Sequence, residues 1–358
     1  MSPYPERLKA LRGLIKGPLL VGSLESIRYL SGFTGSWALL LVLPREAFLL
    51  TDARYIQQAQ RELMPQVRPV LSKGSPLASL RRLLRGYSRL GFEETITYKA
   101  YERLRRLNLK LVPTRGLVES LRAQKDQEEL ALIRKAIRVA EEAFVRVLPA
   151  VRAGVQERRL CVLLKEALLE LGSEALPFEP VVASGPNAAL PHARATERRL
   201  RPGEVLLIDW GARVGGYCSD MTRVLLSPGP GAQRWLALAR LLRQAQRAAL
   251  RALGPGATGA QIDKAARDVI KKAGYGEHFG HGLGHGVGLQ VHELPRLSPQ
   301  GRAPLRQGMV FTIEPGVYLL GQGGLRLEDM VYLGPSGPSV LTHLPRDPLA
   351  LRRYLRKG

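Results

Sequence analysis

Hydrophobic and polar positions in the first third of the chain alternate between helical spacing and short apolar runs. Helical spacing predicts helices over residues 5–15, 52–62 and 77–85. Between and after them, buried strands are predicted by the runs PLLVG, WALLLVL, EAFLLT, SRLGFE and LKLVPT. Strands that alternate with helices indicate an α/β domain built on a mixed, mostly covered sheet.

The pattern changes near residue 120, and we place a domain boundary there. From about residue 178 onward, apolar strands and Gly/Pro turns dominate. Helical spacing in this part of the chain predicts helices over residues 126–151, 157–171, 232–253 and 258–273. We therefore expect a smaller α/β domain over residues 1–120 and a larger α+β domain over residues 121–358.

The composition is that of a soluble globular protein, with 45% hydrophobic and 24% charged residues in a chain of 358. The longest apolar run, WALLLVLP, is too short to span a bilayer, and the first ten residues lack the apolar core of a signal peptide. Two cysteines cannot form a disulfide framework. We expect a cytoplasmic protein with no membrane partner.

The net charge of +23 raises the question of a nucleic-acid partner. The positive excess is spread over both predicted domains, and the sequence has neither a basic tail nor a basic stripe interleaved with aromatic residues. This distribution argues against nucleic-acid binding as the main function.

The first candidate for chemistry is a predicted hairpin over residues 204–226, EVLLIDWGARVGGYCSDMTRVLL. Two apolar runs flank Gly215 and Gly216, a typical turn pair. A turn centred between Val214 and Gly215 would place Asp209 directly opposite Asp220. Buried like charges at that separation are costly unless a partner compensates them, and a cation is the simplest one.

A second predicted hairpin over residues 309–333 repeats the arrangement. Glu314 and Glu328 lie at equal distances from Gly321, so they are expected at matching depth on two strands. Arg326 lies two residues before Glu328 and therefore on the same strand face. There it could keep a carboxylate ionised or contact a substrate.

Four of the six histidines lie in one segment, HFGHGLGHGVGLQVHELP, residues 278–295. Alternating glycines make a helix expensive, so an extended strand or loop is expected. In an extended chain His281 and His285 point the same way, and His292 joins them only through a bend or bulge. Four carboxylates with one or two imidazoles suit a dinuclear site for manganese, cobalt or zinc, which would make a bridging water nucleophilic.

Five segments of the chain resemble the pita-bread metallopeptidases, and within them the Xaa-Pro aminopeptidase/prolidase group. They are SGPNAALPHA, DWGARVGGYCSDMTR, HGLGHGVGLQVHE, FTIEPGVY and GLRLEDM. Upstream, YLSGFTGSWALLLV and LLTDARYIQQAQRE are similar to the creatinase/prolidase N-terminal domain. The resemblance implies a pita-bread catalytic domain preceded by a creatinase-like α/β domain.

The resemblance also implies roles for single residues. The metal ligands would be Asp209, Asp220, His285, Glu314 and Glu328. Asp220 and Glu328 would bridge two divalent ions, and Glu314 would also accept a proton from the bridging water. Four residues would serve the substrate: His192 and His292 at the scissile amide, His281 in the wall of the proline pocket, and Arg326 close behind the site.

The implied activity is hydrolysis of the Xaa-Pro bond at the N-terminus of dipeptides or short peptides by a homodimer. The motifs leave open whether the substrate is a dipeptide or a longer peptide, and which metal is native. Trp210 stands where the group usually has a smaller residue, so a ring facing the cavity would alter the substrate range. Two alternatives are a catalytically idle nucleic-acid or protein binder and another metal-dependent amide hydrolase.

Overall fold

The computed structural model describes residues 3–254 and 256–350 of the chain. The chain divides into two compact units, Met1–Arg122 and Ala123–Gly358, so the division falls two residues after the predicted boundary at 120. Among the described residues, no helix combines the length and apolar character needed to cross a bilayer.

The first unit is a six-stranded mixed sheet with helices between its strands. Its helices are α1 (Tyr4–Leu14), α2 (Leu24–Ser31), α3 (Ile56–Glu62), α4 (Pro76–Leu83), α5 (Tyr98–Arg105) and α6 (Leu117–Arg122). Its strands are β1 (Leu19–Val21), β2 (Leu39–Val42), β3 (Ala47–Thr51), β4 (Val67–Leu71), β5 (Arg89–Glu93) and β6 (Lys110–Thr114). The strand order is β4-β3-β2-β1-β5-β6, with parallel pairing at both ends of the sheet.

Four elements of this unit were not predicted: α2, α5, α6 and β4. Helix α2 has only eight residues, although Ser23 caps its start and Gly32 ends it in the left-handed conformation at φ 81°. Strand β4 contains Pro69 and lies at the edge of the sheet, where a missing backbone N–H is tolerated. The predicted helix over 52–62 begins only at Ile56, because residues 52–55 form a turn.

The second unit has long helices and antiparallel strands. Its helices are α7 (Gln127–Val147), α8 (Glu157–Glu170), α9 (Ala232–Ala252) and α10 (Gly259–Lys272). Its strands are β7 (Val181–Ser184), β8 (Val205–Trp210), β9 (Arg213–Val214), β10 (Tyr217–Cys218), β11 (Met221–Leu226), β12 (Gly284–Gly286), β13 (Glu293–Leu297), β14 (Val310–Ile313), β15 (Gly316–Leu319), β16 (Gly323–Arg326), β17 (Asp329–Gly334) and β18 (Gly337–Val340).

These strands form two larger sheets and two short ribbons. The sheet orders are β11-β8-β7 and β13-β12-β14-β17-β18, and the ribbons are β9-β10 and β15-β16. Helices α9 and α10 bury their apolar faces in one core with residues of both sheets, among them Leu207 and Phe311. The candidate site residues of the second unit therefore lie on or next to strands that pack against a layer of helices.

All four helices predicted for this unit are present, with ends shifted by a few residues. Asp126 begins α7 in a capping box with Glu129, and Thr258 begins α10 in a capping box with Gln261. The predicted helix over 126–151 stops at Val147 and continues only as a 3₁₀ turn over Leu148–Ala150. Pro149 cannot donate the hydrogen bond that a further α-helical turn needs.

Candidate metal centre

The first carboxylate pair lies on the antiparallel strands β8 and β11. Asp209 pairs with Thr222 and not with Asp220, so the predicted register is wrong by two residues. The turn residues are Gly215 and Gly216, whose φ angles of 57° and 80° favour glycine at both central positions. This turn moves Asp220 to a diagonal position on the same face as Asp209, where both carboxylates still enter one cavity.

Trp210 does not face the cavity. Its indole is fully buried, stacks on Phe144 at 4.4 Å between ring centroids, and donates from Nε1 to the Ala140 carbonyl at 2.8 Å. Successive residues of a strand point to opposite faces, so Asp209 turns to the site and Trp210 turns to α7. An altered substrate range was expected only if this ring faced the cavity, and it does not.

The second carboxylate pair has the predicted register. Ile313 pairs with Asp329 and Gly316 pairs with Arg326, so Glu314 and Glu328 face each other about Gly321. The Thr222 hydroxyl on β11 donates to Oε2 of Glu328 at 2.6 Å. This bond joins the two strand pairs and brings their four acids together.

The histidine segment enters the sheet as the short strand β12. Added Cβ atoms at Gly284 and Gly286 would lie 2.1 Å from the Thr312 carbonyl oxygen and 2.0 Å from the Leu294 carbonyl oxygen. Glycine is therefore required for the close approach of the neighbouring strands. The register shifts after His285, and the chain bends before β13, as predicted for a segment that brings His292 to the same site.

All nine predicted site residues line one cavity of about 530 Å³ in the second unit. They are His192, Asp209, Asp220, His281, His285, His292, Glu314, Arg326 and Glu328. The remaining wall includes the apolar residues Phe178, Val181 and Pro191 together with the exposed Arg194. Acidic and imidazole groups therefore share this cavity with an apolar wall.

The donor set fits a divalent cation. One ligand atom each from Asp220, His285 and Glu328 lies within 4.8 Å of the others. Oδ1 of Asp209 is buried and has no hydrogen-bond partner among the described residues. Oxygen-rich sites with one imidazole suit manganese, cobalt or zinc.

The pKa shifts of the buried acids also favour a bound cation. Burial, reinforced by neighbouring carboxylates, raises the pKa of Asp220 and of Glu328 well above their ordinary values. Burial also raises the pKa of Glu314. A bound cation would remove the cost of ionising these three groups together.

His285 presents a lone pair to this cluster. Its Nε2 lies 3.3 Å from Oε1 of Glu314 and 3.6 Å from Oδ2 of Asp220. Nδ1 lies 3.1 Å from the Gly286 carbonyl, which fixes the proton on Nδ1 because a carbonyl can only accept. Burial lowers the pKa of His285, so the ring is neutral and Nε2 is suited to a metal.

The substrate-side histidines have different environments. His292 packs on His285 with ring centroids 4.1 Å apart. Partial burial and this neighbour lower the pKa of His292 to about 4, so it is neutral at pH 7. His192 lies exposed at the lining of the cavity.

Each nitrogen of the Arg326 guanidinium donates a hydrogen bond. It donates to Oδ2 of Asp209 at 2.5 Å, to the Thr222 hydroxyl at 3.0 Å and to the Tyr318 hydroxyl at 2.7 Å. Nε2 of His281 lies 3.0 Å from the same Tyr318 hydroxyl. Arg326 can only donate to the Tyr318 hydroxyl, so the phenol proton is available for Nε2 of His281. This hydrogen bond fixes the orientation of the His281 ring.

Three residues of the site were not predicted. Tyr318 links Arg326 to His281, Thr222 links Arg326 to Glu328, and Thr312 donates to Oε1 of Glu314 at 3.1 Å. Burial raises the pKa of Tyr318 to about 12, so its hydroxyl keeps the proton. The strand alternation that placed Arg326 beside Glu328 also places Thr222 and Tyr318 on site-facing positions, and this signal was available.

Comparison with known proteins connects this geometry to a family. Residues 131–335 match metallopeptidase family M24, and residues 13–124 match the creatinase/prolidase N-terminal domain. A Xaa-Pro dipeptidase of Pyrococcus horikoshii is 31% identical over 332 residues, which cover 92% of this chain and 93% of the relative.

Two solved structures extend the likeness to the fold. A Xaa-Pro dipeptidase from Bacillus anthracis superposes with a TM-score of 0.91 at 33% identity, covering 96% of this chain and 98% of that one. An X-Pro aminopeptidase from Thermotoga maritima gives 0.84 at 35% identity, with 94% and 98% covered. The predicted pita-bread domain with a creatinase-like N-terminal domain is confirmed. The chain belongs to metallopeptidase family M24.

Proposed function

We propose that this protein is a metal-dependent peptidase that hydrolyses the Xaa-Pro bond at the N-terminus of dipeptides or short peptides. The observation that carries the proposal is the convergence of four acids and His285 in one cavity. The Xaa-Pro dipeptidases and the X-Pro aminopeptidase among its relatives support the choice of substrate.

The metal ligands are Asp209, Asp220, His285, Glu314 and Glu328. Together they would hold two divalent ions. Bound ions supply Lewis acidity and lower the pKa of a bound water. Manganese, cobalt and zinc all fit the donor types, and elemental analysis of the purified protein identifies the native one.

Glu314 is the proton acceptor of the site. The Thr312 hydroxyl donates to Oε1 of this carboxylate at 3.1 Å and holds that oxygen in place. The second oxygen of the same carboxylate can take a proton from the attacking water. It can then return that proton to the proline nitrogen as the peptide bond breaks.

Proline is recognised by shape because its nitrogen has no N–H to donate. Phe178, Val181 and Pro191 give an apolar wall for the ring, and His281 stands fixed by Tyr318. We assign His192 and His292, which line the same cavity, as donors to the scissile carbonyl, and the lowered pKa keeps His292 neutral at pH 7. Together these groups orient the amide and stabilise the developing oxyanion.

Replacing Asp220 with Asn tests the proposal. We expect loss of bound metal and a fall in kcat/KM on Ala-Pro of more than about a hundredfold, the upper range for residues that only support metal ligands. Asp268→Asn is the control, since Asp268 forms an exposed ion pair with Lys264 on α10 and should leave both quantities unchanged. Metal-free Asp220→Asn with parental activity would refute the metal site.

The substrate assay separates the remaining possibilities. Manganese-loaded protein should cleave Ala-Pro or a Xaa-Pro-Pro tripeptide, and the preferred one distinguishes a dipeptidase from an aminopeptidase. Bound metal without activity on either peptide would favour another amide hydrolase on this scaffold. Salt-sensitive DNA or RNA binding without a metal requirement would favour an idle binder.

The predicted homodimer is also part of the proposal. Size-exclusion chromatography with light scattering should give twice the chain mass of 39.5 kDa. A mass of one chain at assay concentrations would contradict it. The cytoplasmic location stays a prediction that rests on the sequence.

A further inference from the structure

A second cavity of about 430 Å³ lies in the second unit, and none of its described lining residues lines the cavity of the candidate metal centre. Three arginines of the described residues line it: Arg243 and Arg247 from α9, and Arg346 from the segment after β18. Leu250 and Val340 add an apolar wall. We call this the arginine cavity.

Its floor is a buried ionic cluster around Asp329. This carboxylate accepts from Arg223 at 2.7 Å, from Arg346 at 2.6 Å, from Gln246 at 2.8 Å and from Thr342 at 2.6 Å. Two arginines thus share one carboxylate, so the cluster carries an excess of one positive charge. Arg346, with 28% of its side chain exposed, is the member that lines the cavity.

The two arginines of α9 add to this excess. Among the described residues, neither Arg243 nor Arg247 has a side-chain hydrogen bond or an ion pair. They lie four residues apart on one helix face, a spacing at which like charges repel. Arg243 is half-buried, which limits its solvation by water.

No acid among the described residues lines the arginine cavity. Glu141 lies outside the lining but beside it, because its Oε1 accepts from the backbone amides of the lining residue His343 and of Leu344, and its carboxylate keeps its negative charge. Asp347 follows Arg346 in the chain, and its Oδ1 accepts from the Leu349 amide. Counted with Asp329, these two carboxylates leave an excess of one positive charge from the four arginines of this region, Arg223, Arg243, Arg247 and Arg346.

We propose that the arginine cavity binds a small phosphorylated molecule. Guanidinium groups match a phosphoryl group in shape and charge and bind it through paired hydrogen bonds. Arg243, Arg247 and Arg346 surround the space for such a group, and Leu250 with Val340 accepts an apolar portion beside it. The cavity has the size usual for a small-molecule site.

Phenyl phosphate is a suitable probe, since it carries one phosphoryl group and one ring. Calorimetry with the manganese-loaded protein should detect binding below about 1 mM, an ordinary affinity for a small ligand. Arg243→Ala and Arg247→Ala should each weaken binding at least about tenfold, the loss expected for one charge-assisted hydrogen bond. Alanine suits a helix interior, so α9 should keep its fold.

Arg240→Ala and Arg251→Ala are matched controls, because both arginines are exposed on α9 and lie outside the cavity lining. They should leave the affinity within about twofold of the parent, since surface charges contribute little. Equal weakening by all four variants would mean diffuse attraction of polyanions along α9 and would overturn the proposal.

Three other results would also overturn it. Absence of phenyl phosphate binding removes the site. Equal binding of phenylacetate assigns the cavity to carboxylates and not to phosphates. Competition between phenyl phosphate and Ala-Pro, with unchanged affinity in Arg243→Ala, places the ligand at the metal centre instead.

Discussion

Among the residues that the structure describes, two arginines line the cavity of the candidate metal centre, and their surroundings suit them to different roles. Arg326 is buried, and its guanidinium is committed to Asp209, Thr222 and Tyr318. Arg194 is exposed and has no side-chain partner among the described residues. A dipeptide carries its free carboxylate right next to the proline ring, whereas a longer peptide does not. Arg194 is therefore suited to hold that carboxylate.

Arg194→Ala should raise KM for Ala-Pro about tenfold or more while kcat changes little, because a charge-assisted hydrogen bond to bound substrate is lost. The KM for a Xaa-Pro-Pro tripeptide should stay within about twofold, since that substrate has no carboxylate at this position. Steady-state kinetics on both peptides provide the measurement.

The control for this experiment is Arg152→Ala, which removes an exposed arginine outside the cavity lining and should leave both KM values unchanged. Equal changes in KM for dipeptide and tripeptide would show that Arg194 acts on the general charge of the cavity. In that case its assignment to the dipeptide carboxylate is wrong.

At the residue scale, chemical type made the acidic and imidazole residues of the cavity predictable. Buried acids and clustered histidines are rare enough in strands to stand out, and all nine predicted residues line the cavity. The environment of Trp210 was not predictable from its position beside Asp209, because strand alternation and the partner Phe144 decide where the ring goes. Tyr318 was missed because a tyrosine in an apolar strand looks like an ordinary core residue.

At the element scale, register depends on which turn residues the chain uses. The second ribbon could be placed from its acids, because β15 and β16 pair symmetrically about Gly321. The register of β8 with β11 could not be placed in this way. A shift of the turn centre by one residue moves every cross-strand partner by two residues, and only the observed turn determines the register. A shift of two keeps the strand face, so the predicted site survived the error in register.

The strand that carries His285 depends on close packing. Gly284→Ala would bring a Cβ to 2.1 Å from the Thr312 carbonyl oxygen, so β12 has to move. We expect a loss of stability of about 1–3 kcal/mol and weaker metal binding, because overpacking displaces the ligand strand. Thermal unfolding and metal content after dialysis measure the two effects.

Gly280→Ala is the matched control in the same segment. An added Cβ at Gly280 meets no heavy atom within 4 Å, so stability and metal content should stay at parental values. Parental metal content in Gly284→Ala would show that β12 can shift without disturbing His285. The proposed dependence of the ligand on this packing would then be refuted.

A buried ion pair fixes the other end of the histidine segment. Nζ of Lys125 lies 2.6 Å from Oε1 of Glu293, and both side chains are almost completely buried. Glu293 directly follows His292, so the pair anchors this histidine to the segment before α7. Lys125→Met should destabilise the protein by about 3–5 kcal/mol, because it breaks a buried ion pair by removing one of its two charges.

The double variant Lys125→Met/Glu293→Gln provides the comparison in urea unfolding. It should recover part of the lost stability, since no uncompensated charge stays buried. Additive losses in the double variant would show that the two residues do not act as a pair.

The whole molecule carries a net charge of +23, whereas the candidate metal site concentrates buried acids whose titration links stability to pH. Burial and mutual repulsion raise the pKa values of Asp220 and Glu328, and burial raises that of Glu314. At pH values above the ordinary pKa of 3.8 for Asp and 4.5 for Glu, the folded metal-free protein therefore holds more protons than the unfolded chain. Its stability contribution from these groups falls as the pH rises toward neutrality.

A bound cation reverses this cost, so metal and protons compete for the same carboxylates. We expect manganese to raise Tm most near pH 7.5 and progressively less as the pH falls toward 5. At a concentration one hundred times Kd the gain at neutral pH is about 2.7 kcal/mol. Thermal unfolding with and without manganese across this range measures the increment, and Asp220→Asn should lose most of it at every pH. An increment that stays constant or grows toward pH 5 would mean that these carboxylates do not hold the metal.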